Sequence, residues 1–327
     1  MASTPITSFQ EIRFDWESVL NDSPVNTLFL SSQWQEVWWD NFGDGRRMAG
    51  FYLTAPGGQD VAGIASLAEV GGTLSFVGSQ DTFDYNDFIV RTGHEEAFFK
   101  ILLECLDDQS CDVLRLDSLI EDSPTLLHLP DMARSKGYTV EIEQEDVTSG
   151  VVLPDTWEDY LGYLSKKDRH ELRRKLRRLD TQGDWQWYCL TKAEEVSARL
   201  SEFLSLMRQS RTDKNEYMTP ERERFFYSIA DRMAQLDRVK LYFLEINGEA
   251  VATSLCFDYG SSRLLYNSGY DPEFGYFSVG LLLNAMCLKD AIEDGFQYFD
   301  FLRGPEPYKQ HLGGQQRSLF RMVVKRS

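Results

Sequence analysis

The chain has 327 residues and a formal net charge of −18. A chain of this length buries roughly 75% of its unfolded surface and is long enough for two domains without disulfides. Its five cysteines form no C-x-x-C pair and have no His or Cys neighbours at zinc spacing, which excludes the common zinc motifs and predicts reduced, structural thiols in a cytoplasmic protein.

The N-terminal segment lacks the apolar core of a signal peptide. The longest apolar stretch, VGLLLNAMCL, is far shorter than the ~20 residues of a membrane span. We therefore expect a soluble protein without membrane insertion, and no pattern indicates its oligomeric state.

The charge is unevenly distributed. Residues 1–150 carry 26 acidic and 8 basic side chains, whereas residues 151–327 carry 26 of each. Because phosphate groups are attracted by local positive potential, a polyanion would be repelled by the first half and could approach only the second. We expect the two halves to have different roles.

In the first half, the segment SQWQEVWWDNFG (32–43) predicts a helix because apolar residues recur at intervals of three and four. Two apolar runs around a Pro-Gly-Gly-Gln-Asp turn (56–60), followed by GGTLSFVG (71–78), predict three strands. A helical pattern, EEAFFKILLECLDD (95–108), and a strand pattern, CDVLRL (111–116), come next.

Between the halves, two pairs at capping-box spacing predict helix starts: Asp155 with Glu158, and Ser165 with Asp168. The second start opens KKDRHELRRKLRR (166–178), which holds eight lysines and arginines beside leucines at helical spacing. It is either an amphipathic helix with a solvated charged face or a phosphate-binding surface, for which arginine has suitable forked donors. The cations assigned to such a surface are Lys166, Lys167, Arg169, Arg173 and Arg177.

The second half starts with two helical patterns, at 193–211 and 220–236. Asn247-Gly248, inside VKLYFLEINGEAVATSLCFDYG (239–260), is the strongest short hairpin signal. A third strand (262–270), a helix (279–294) closed by Gly295, and the strand FQYFDFL (296–302) follow. Hairpin, strand, helix and strand thus occur twice in the same order, which predicts a duplicated α/β unit with the element order of the GNAT acyltransferase fold.

Four segments resemble a GNAT-related family described as CelD-like and associated with polysaccharide biosynthesis. They are FLSSQWQEVWWDNFG (29–43), FDYNDF (83–88), LSKKDRHELRRKLRRL (164–179) and FDFLRGPEPYKQHLGG (299–314). That family is similar to the FemABX aminoacyl transferases, which are two tandem GNAT-like domains. The resemblance covers almost the whole chain in order.

The resemblance and the element order together predict an α/β (α+β) protein of two tandem GNAT-like domains, each a mixed, largely antiparallel sheet flanked by helices. We place a degenerate, acidic domain on the acceptor side at residues 1–153. We place a second domain, which begins with a basic helix and lies on the acyl-donor side, at residues 154–327.

The resemblance implies that an acyl group moves from acyl-CoA, such as acetyl-CoA, to an amine or hydroxyl of a sugar or small molecule in a cleft between the domains. Typical CoA-dependent members have a Q/R-x-x-G-x-G/A signature before the helix that follows the fourth strand, where backbone amides bind pyrophosphate. Here DPEFGYFSVGLLL (271–283) lacks the full signature. The predicted donor-binding residues are Gly275, Phe277, Ser278, Val279, Gly280, Arg169 and Arg173.

In the aminoacyl transferases an aromatic–lysine pair follows the fifth strand, with the lysine near the reacting carbonyl, and Tyr308-Lys309 matches that pair. We predict that Lys309 stabilises the oxyanion and that Tyr308 protonates the leaving group, the alternatives being a surface lysine and a packing tyrosine. Asp300 is either a base with a pKa raised by burial or an ion-pair partner of Arg303 or Lys309. No histidine has an acidic partner at useful spacing, and only His311, two residues after Lys309, is an outside candidate for the base.

For the acceptor, hydrogen-bonding side chains follow the third strand of the first half. The predicted substrate-binding residues are Asp84, Tyr85, Asp87, Arg303 and Trp34. Asp and Asn are also ordinary turn formers, and Trp34 is more simply explained as core with sugar stacking as the minority interpretation. No metal site or Ser-His-Asp triad is predicted.

Two other functions stay open. One keeps the chemistry but takes aminoacyl-tRNA as the donor, with the basic helix touching RNA. The other is a non-catalytic binding module whose donor pockets have decayed.

Overall fold

The computed structural model describes residues 2–55, 60–108 and 111–326, so that residues 56–59 of the predicted Pro-Gly-Gly-Gln-Asp turn lie outside the described residues. The chain divides into two compact units. Unit 1 comprises residues 1–147 and 317–327, and unit 2 comprises residues 148–316. Residues 317–327, which the sequence-based division placed in the second domain, therefore belong to unit 1.

Unit 1 has four helices and a set of short strands within the described ranges. In chain order they are β1 (Ala2–Pro5), α1 (Arg13–Asn21), α2 (Ser32–Phe42), β2 (Arg47–Met48), β3 (Phe51–Thr54), β4 (Val61–Ala65), β5 (Leu67–Val70), β6 (Thr73–Phe76), β7 (Ile89–Val90), α3 (Glu95–Asp108), β8 (Val113–Ile120), α4 (Pro124–Ser135) and β9 (Thr139–Val152), whose last residues belong to unit 2.

Unit 2 holds the remaining helices and the longer strands. They are α5 (Trp157–Tyr163), α6 (Lys166–Leu179), β10 (Trp185–Leu190), α7 (Ala193–Ser210), α8 (Thr212–Tyr217), α9 (Pro220–Gln235), β11 (Val239–Ile246), β12 (Glu249–Tyr259), β13 (Ser262–Tyr270), α10 (Val279–Glu293), β14 (Tyr298–Arg303) and α11 (Pro307–His311). The final strand, β15 (Gln315–Lys325), begins in unit 2 and continues in unit 1.

The sheets of both units are mixed and mostly antiparallel. In unit 1, β1, β3, β4 and β7 form one sheet, and β15, β8, β6, β5 and β2 are successive neighbours in another. In unit 2 the order is β10, β11, β12, β13, β14 and then β9. Each unit has one parallel pair joined through a helix: β6 and β8 through α3, and β13 and β14 through α10. The predicted fold class is confirmed, and the strand–helix–strand crossover occurs in both units.

The local signals explain why several elements form where they do. Asn247 and Gly248 have φ values of 53° and 81°, the left-handed conformation that a two-residue hairpin turn needs. The capping box at Ser165 is confirmed, because the Ser165 side chain accepts a hydrogen bond from the Asp168 N–H at 3.1 Å. The other predicted box is wrong by one residue, since α5 is capped by Thr156 rather than Asp155.

Each unit has its own hydrophobic core. In unit 1 the core lies between the strands and α3, with Phe98, Phe99 and Leu102 as fully buried members. In unit 2 it lies between the sheet and α10, which buries residues on all its faces rather than along one stripe. Among the described residues, none of the helices is both long and apolar enough to cross a membrane.

Candidate functional site

The strands β13 and β14 pair with each other only at their first residues. The parallel ladder joins Ser262–Leu264 to Tyr298–Asp300, and beyond it each strand keeps only its other neighbour, β12 for β13 and β9 for β14. A bulge in β13 at Tyr266 lies just beyond the end of this ladder. Neighbouring strands that cease to pair leave room for a ligand beside their backbone groups, so the C-terminal ends of these two strands form the first part of the candidate site.

The end of β14 has an irregular backbone. The register shifts between Asp300 and Leu302, and Leu302 has a φ of 60°. Strict strand alternation would put Tyr298, Asp300 and Leu302 on one face, and the register shift breaks this alternation at Leu302. Asp300 is buried, and its carboxylate accepts a hydrogen bond from the Leu302 N–H at 2.8 Å, so this side chain supports the bend in its own strand.

The loop after β14 is folded around the Lys309 ammonium. Lys309 Nζ donates to the backbone oxygens of Leu302 at 2.9 Å, Arg303 at 2.5 Å and Gly304 at 3.1 Å. It also lies 2.9 Å from Oε2 of Glu306, and the side chain is only 3% exposed. Four oxygen atoms thus surround a group with three N–H donors, and the lysine predicted to face a substrate oxyanion holds the loop that carries Arg303.

Tyr308 lies beside Lys309 on α11 and is partly buried. Its ring packs edge-to-face on Phe301 with centroids 6.2 Å apart. Burial, reinforced by the Glu306 charge, raises the pKa of Tyr308 well above its usual value. Within the part of the chain that the structure describes, no protein group hydrogen-bonds its hydroxyl. The phenol is therefore protonated at neutral pH and has its O–H available as a donor.

A lysine that the sequence did not single out lies at the end of β13. Lys214, on α8, donates to Oδ1 of Asn267 at 3.0 Å and to the backbone oxygen of Ser268 at 2.5 Å. The charges of Glu306 and Lys309 act on it, which brings it into the neighbourhood of the loop after β14. Since Lys214 lies about 90 residues before that loop in a polar segment, no local pattern marked it.

In the predicted fold, the pyrophosphate-binding turn would lie at the start of α10. Ser278 stands at the N-cap position as predicted, but with a left-handed φ of 58° and without a capping hydrogen bond from its side chain. Its Oγ instead accepts a hydrogen bond from Lys175 Nζ of α6 at 2.6 Å. Gly280 lies close to the Tyr270 ring, Phe277 packs on the core, and Gly275 is open to solvent on its side-chain side.

The basic helix α6 forms one wall of a pocket of about 580 Å³ with the first turn of α10 and the end of α11. The cations that line it are Lys167, Arg174, Lys175 and Arg177. Arg174 is bidentately paired with Glu171, whereas no carboxylate of the described residues pairs with Lys167 or Arg177. The pocket therefore presents a positively charged wall next to the helix start that Ser278 begins.

Two of the arginines predicted to bind a donor phosphate face elsewhere. Arg169 donates to the backbone oxygen of Leu161 at 3.2 Å, and Arg173 lies 3.7 Å from Glu158. Both contacts are with α5, so neither side chain lines the pocket. The sequence pattern could not distinguish the face of α6 that lines the pocket from the face that contacts α5, because cations occur all round the helix.

His311 does have an acidic partner, contrary to the expectation from sequence spacing. Its Nδ1 lies 2.9 Å from Oδ1 of Asp168, and both residues line the pocket. A hydrogen bond from Ser165, assisted by His311, lowers the pKa of Asp168 against the effect of burial. The two residues are 143 positions apart in the chain, which is why spacing did not reveal the pair.

Two of the four predicted acceptor residues of unit 1 are buried. Trp34 is 0% exposed and packs edge-on against Phe29 and Phe83, which is the core interpretation rather than a sugar-stacking one. Asp87 is 4% exposed, whereas Asp84 and Tyr85 are partly exposed. The Asp87 carboxylate accepts hydrogen bonds from the hydroxyls of Ser123 and Thr125 and from the Phe88 N–H, so it ties the start of α4 to β7.

Asp87 leads to a prediction about stability. Burial raises its pKa from 3.8 to about 6 even though three donors face it. Because the folded pKa exceeds the unfolded one, the stabilisation is complete below pH 3.8 and is lost as pH rises through about 6, a change of about 3 kcal/mol. The free energy of unfolding of Asp87→Asn minus that of the parent should therefore increase between pH 4 and 6.5, as measured by urea titration at several pH values. Parallel curves would contradict this assignment.

No group of three or more His, Cys, Asp or Glu side chains that could hold a metal ion occurs within residues 2–55, 60–108 and 111–326. All five cysteines are free thiols. The side chains brought together in unit 2 are therefore lysine, tyrosine, histidine and carboxylate groups beside a cationic pocket.

Comparison with known proteins shows what the chain is similar to. Residues 166–310 match the family model described as an acetyltransferase (GNAT) domain, a range that contains α6, both separating strands, α10 and the Tyr308-Lys309 pair. This part of the chain is therefore similar to a GNAT acetyltransferase domain, in line with the sequence resemblance. A search of the curated proteins found no match to the sequence.

Among solved structures, the fold is similar along the whole length to that of FemX, with a TM-score of 0.67, 14% identity and coverage of 98% of this chain and 97% of that one. L-PGS from Bacillus licheniformis has a TM-score of 0.58 and 13% identity over 96% and 91% of the two chains. A tandem GNAT protein from the clavulanic acid biosynthesis pathway has a TM-score of 0.55 and 11% identity over 99% and 98%. At these identities the likeness is one of fold.

Proposed function

We propose that the protein transfers an acyl group from an acyl-CoA to an amine or hydroxyl of a sugar or another small acceptor. The observation that carries this proposal is the coincidence of the GNAT domain match with the cationic pocket at the start of α10. Acyl-CoA supplies a thioester, which is activated toward attack. The negative charge of residues 1–150 would favour an acceptor that carries an amine.

The donor phosphates would be held by the cationic wall of α6 together with the first turn of α10. Lys167 and Arg177 have no carboxylate partner among the described residues, and Lys175 is already directed at Ser278. Charge-assisted bonds to phosphate are stronger than neutral ones, and a helix start adds unpaired N–H donors. The residues present therefore fit a phosphate-bearing donor although the full glycine signature is missing.

The residues after β14 would serve the reaction itself. Tyr308 carries an O–H without a protein partner in the described ranges, which suits protonation of a leaving thiolate. Lys309 would position the loop rather than contact the oxyanion, because its N–H groups are directed at protein oxygens. Asp300 supports the bend that begins the loop.

The proposal is tested by a thermal-shift and mass-spectrometric screen with acetyl-CoA, longer acyl-CoAs and charged tRNA, each with an amino-sugar acceptor. Binding raises the melting temperature by mass action, and product mass identifies the group transferred. Stabilisation and transfer with one acyl-CoA class would support the proposal. The absence of any shift or product with every donor would favour the binding-module alternative.

Aminoacyl-tRNA is a second candidate donor. Lys166 and Arg173 are exposed on α6 outside the pocket and extend its positive charge, as a large polyanion would need. The fold likeness to FemX and L-PGS is consistent with such a donor. In this case binding would weaken steeply with added salt.

Two matched double variants separate these donors. With acyl-CoA, Lys167→Ala/Arg177→Ala should raise the donor KM about tenfold or more with little change in kcat, because it removes two charge-assisted contacts from the pocket. Lys166→Ala/Arg173→Ala removes the same charge outside the pocket and should leave the donor KM within about twofold. Steady-state kinetics measures the donor KM of both variants. Equal increases in KM would contradict a donor held only in the pocket.

A further inference from the structure

We propose that Lys214 is the proton acceptor for the attacking amine. This inference rests on the proposed acyl transfer and adds a catalytic residue that neither the sequence motifs nor the family match indicates. It is drawn from the position of the side chain, its hydrogen bonds and the charges around it.

The position is the end of β13, beyond the point where β13 and β14 cease to pair. Lys214 Nζ contacts Asn267 and Ser268 there, and the charges of Glu306 and Lys309 act on it from the loop after β14. The proposed function makes Tyr308, which follows that same loop, the proton donor to the leaving sulfur, so the reacting carbonyl would lie near Tyr308. Lys214 therefore lies on the β13 side of the gap in which the carbonyl would lie.

The hydrogen bonds suit a neutral amine. Within the described ranges the two acceptors of Lys214 are Asn267 Oδ1 at 3.0 Å and the Ser268 backbone oxygen at 2.5 Å. A neutral amine has two N–H groups and one lone pair, so these acceptors take both hydrogens and leave the lone pair for an incoming proton. Lys309 differs, because four oxygen atoms surround its three N–H groups.

The surroundings favour loss of the proton near neutral pH. The pKa of Lys214 is lowered to about 8, chiefly by burial and also by the charge of Arg211, while the charges of Glu306 and Asp213 oppose the change. Lys309 also lowers it. A lysine tuned in this way is suited to general-base catalysis, because a base works best with a pKa near the operating pH.

Acyl transfer to the amine involves two proton transfers. As the bond from the acceptor nitrogen to the acyl carbon forms and the bond from that carbon to sulfur breaks, one proton passes from the nitrogen to Lys214 Nζ. The sulfur takes a proton from the Tyr308 hydroxyl. Both side chains then recover their starting states by exchange with water.

The test compares the parent with Lys214→Gln, Lys214→Arg and the control Lys192→Gln, an exposed lysine at the start of α7. Because arginine keeps the positive charge and donors but cannot accept a proton at these pH values, both Lys214 variants should lower kcat about 10²- to 10⁴-fold with an unchanged donor KM. The control should match the parent. Circular dichroism confirms that each variant is folded, and near-parental kcat in folded Lys214→Arg would overturn the inference.

The pH dependence provides a second readout. In the parent, kcat/KM should rise with pH and level off above about 8, because only the neutral amine accepts a proton. Arg211→Gln removes a positive charge, raises the pKa of Lys214 and should move this rise to higher pH. A rise that stays in place in Arg211→Gln would count against Lys214 as the titrating group.

A labelling experiment separates this inference from the proposed function. The rate of modification of Lys214 by acetic anhydride at increasing pH, followed by peptide mass spectrometry, reports its titration without any acyl donor. A titration midpoint near pH 8 for Lys214 supports the inference. A midpoint for Lys214 near that of Lys192 overturns it, even if acyl transfer is observed. If labelling gives pH 8 but no donor yields product, the proposed function fails, and with it the catalytic role of Lys214.

Discussion

Arg263→Leu is expected to lower the free energy of unfolding of unit 2 by about 3 kcal/mol or more. The Arg263 side chain is 0% exposed, and its nitrogens lie 2.7 Å from carboxylate oxygens of Asp258, Asp290 and Asp294. Nη1 also donates to the Tyr242 hydroxyl at 2.7 Å. Leucine would leave three carboxylates near one another without their shared cation, and desolvated like charges repel strongly.

The value lies toward the lower end of the range for broken buried ion pairs, because the Asp294 side chain is 40% exposed and also pairs with Lys240. Arg224→Leu is the matched control in the same unit, since Arg224 is 61% exposed and 4.0 Å from Glu221. Its effect should stay within about 0.5 kcal/mol. Urea unfolding with hydrogen exchange of unit 2 peptides measures both variants, and equal effects would show that the Arg263 cluster contributes no more than a surface pair.

Gly269→Ala should destabilise unit 2 by about 3 kcal/mol or more. A Cβ at this position would lie 2.3 Å from the backbone nitrogen of Met207 and 2.5 Å from the carbonyl carbon of Leu206. Both atoms belong to the α7 backbone, which cannot move aside as a side chain can. The methyl group would therefore push β13 away from α7 and displace Ser268, one of the two acceptors of Lys214.

Gly162→Ala in α5 is the control, because a Cβ there would meet no atom within 4 Å. It should be neutral or stabilise by about 0.5–1 kcal/mol, since alanine loses less conformational freedom than glycine in a helix. Differential scanning calorimetry of the two variants gives the comparison. Equal melting temperatures for Gly269→Ala and Gly162→Ala would show that β13 does not approach α7 this closely in solution.

Several elements could be predicted from the sequence because their signals are local. The pattern at 95–108 coincides with α3, that at 262–270 coincides with β13, and the Asn247-Gly248 turn lies between β11 and β12. Apolar spacing, helix caps and turn residues act over a few neighbours, and no distant contact overrides them here. The duplicated order of these elements led to the fold class for the same reason.

The site was predicted less well, since its parts are distant in the chain. Lys309 was recognisable from the motif Tyr308-Lys309, but only the folded loop shows that backbone oxygens enclose its ammonium. The bend after Asp300 breaks strand alternation where the pairing with β13 ends and the register with β9 shifts. Tertiary pairing, rather than any neighbouring residue, decides which face each side chain takes.

By itself the sequence determined that this is a two-part α/β protein with an acidic first half, a strongly basic helix at the start of the second and a GNAT-like order of elements. Only the tertiary structure decided which cations of α6 line the pocket, that Asp168 meets His311, and that Lys214 lies at the gap between β13 and β14. The physical reason is range: composition and periodicity depend on neighbours in the chain, whereas charge pairing, burial and proton affinity depend on neighbours in space.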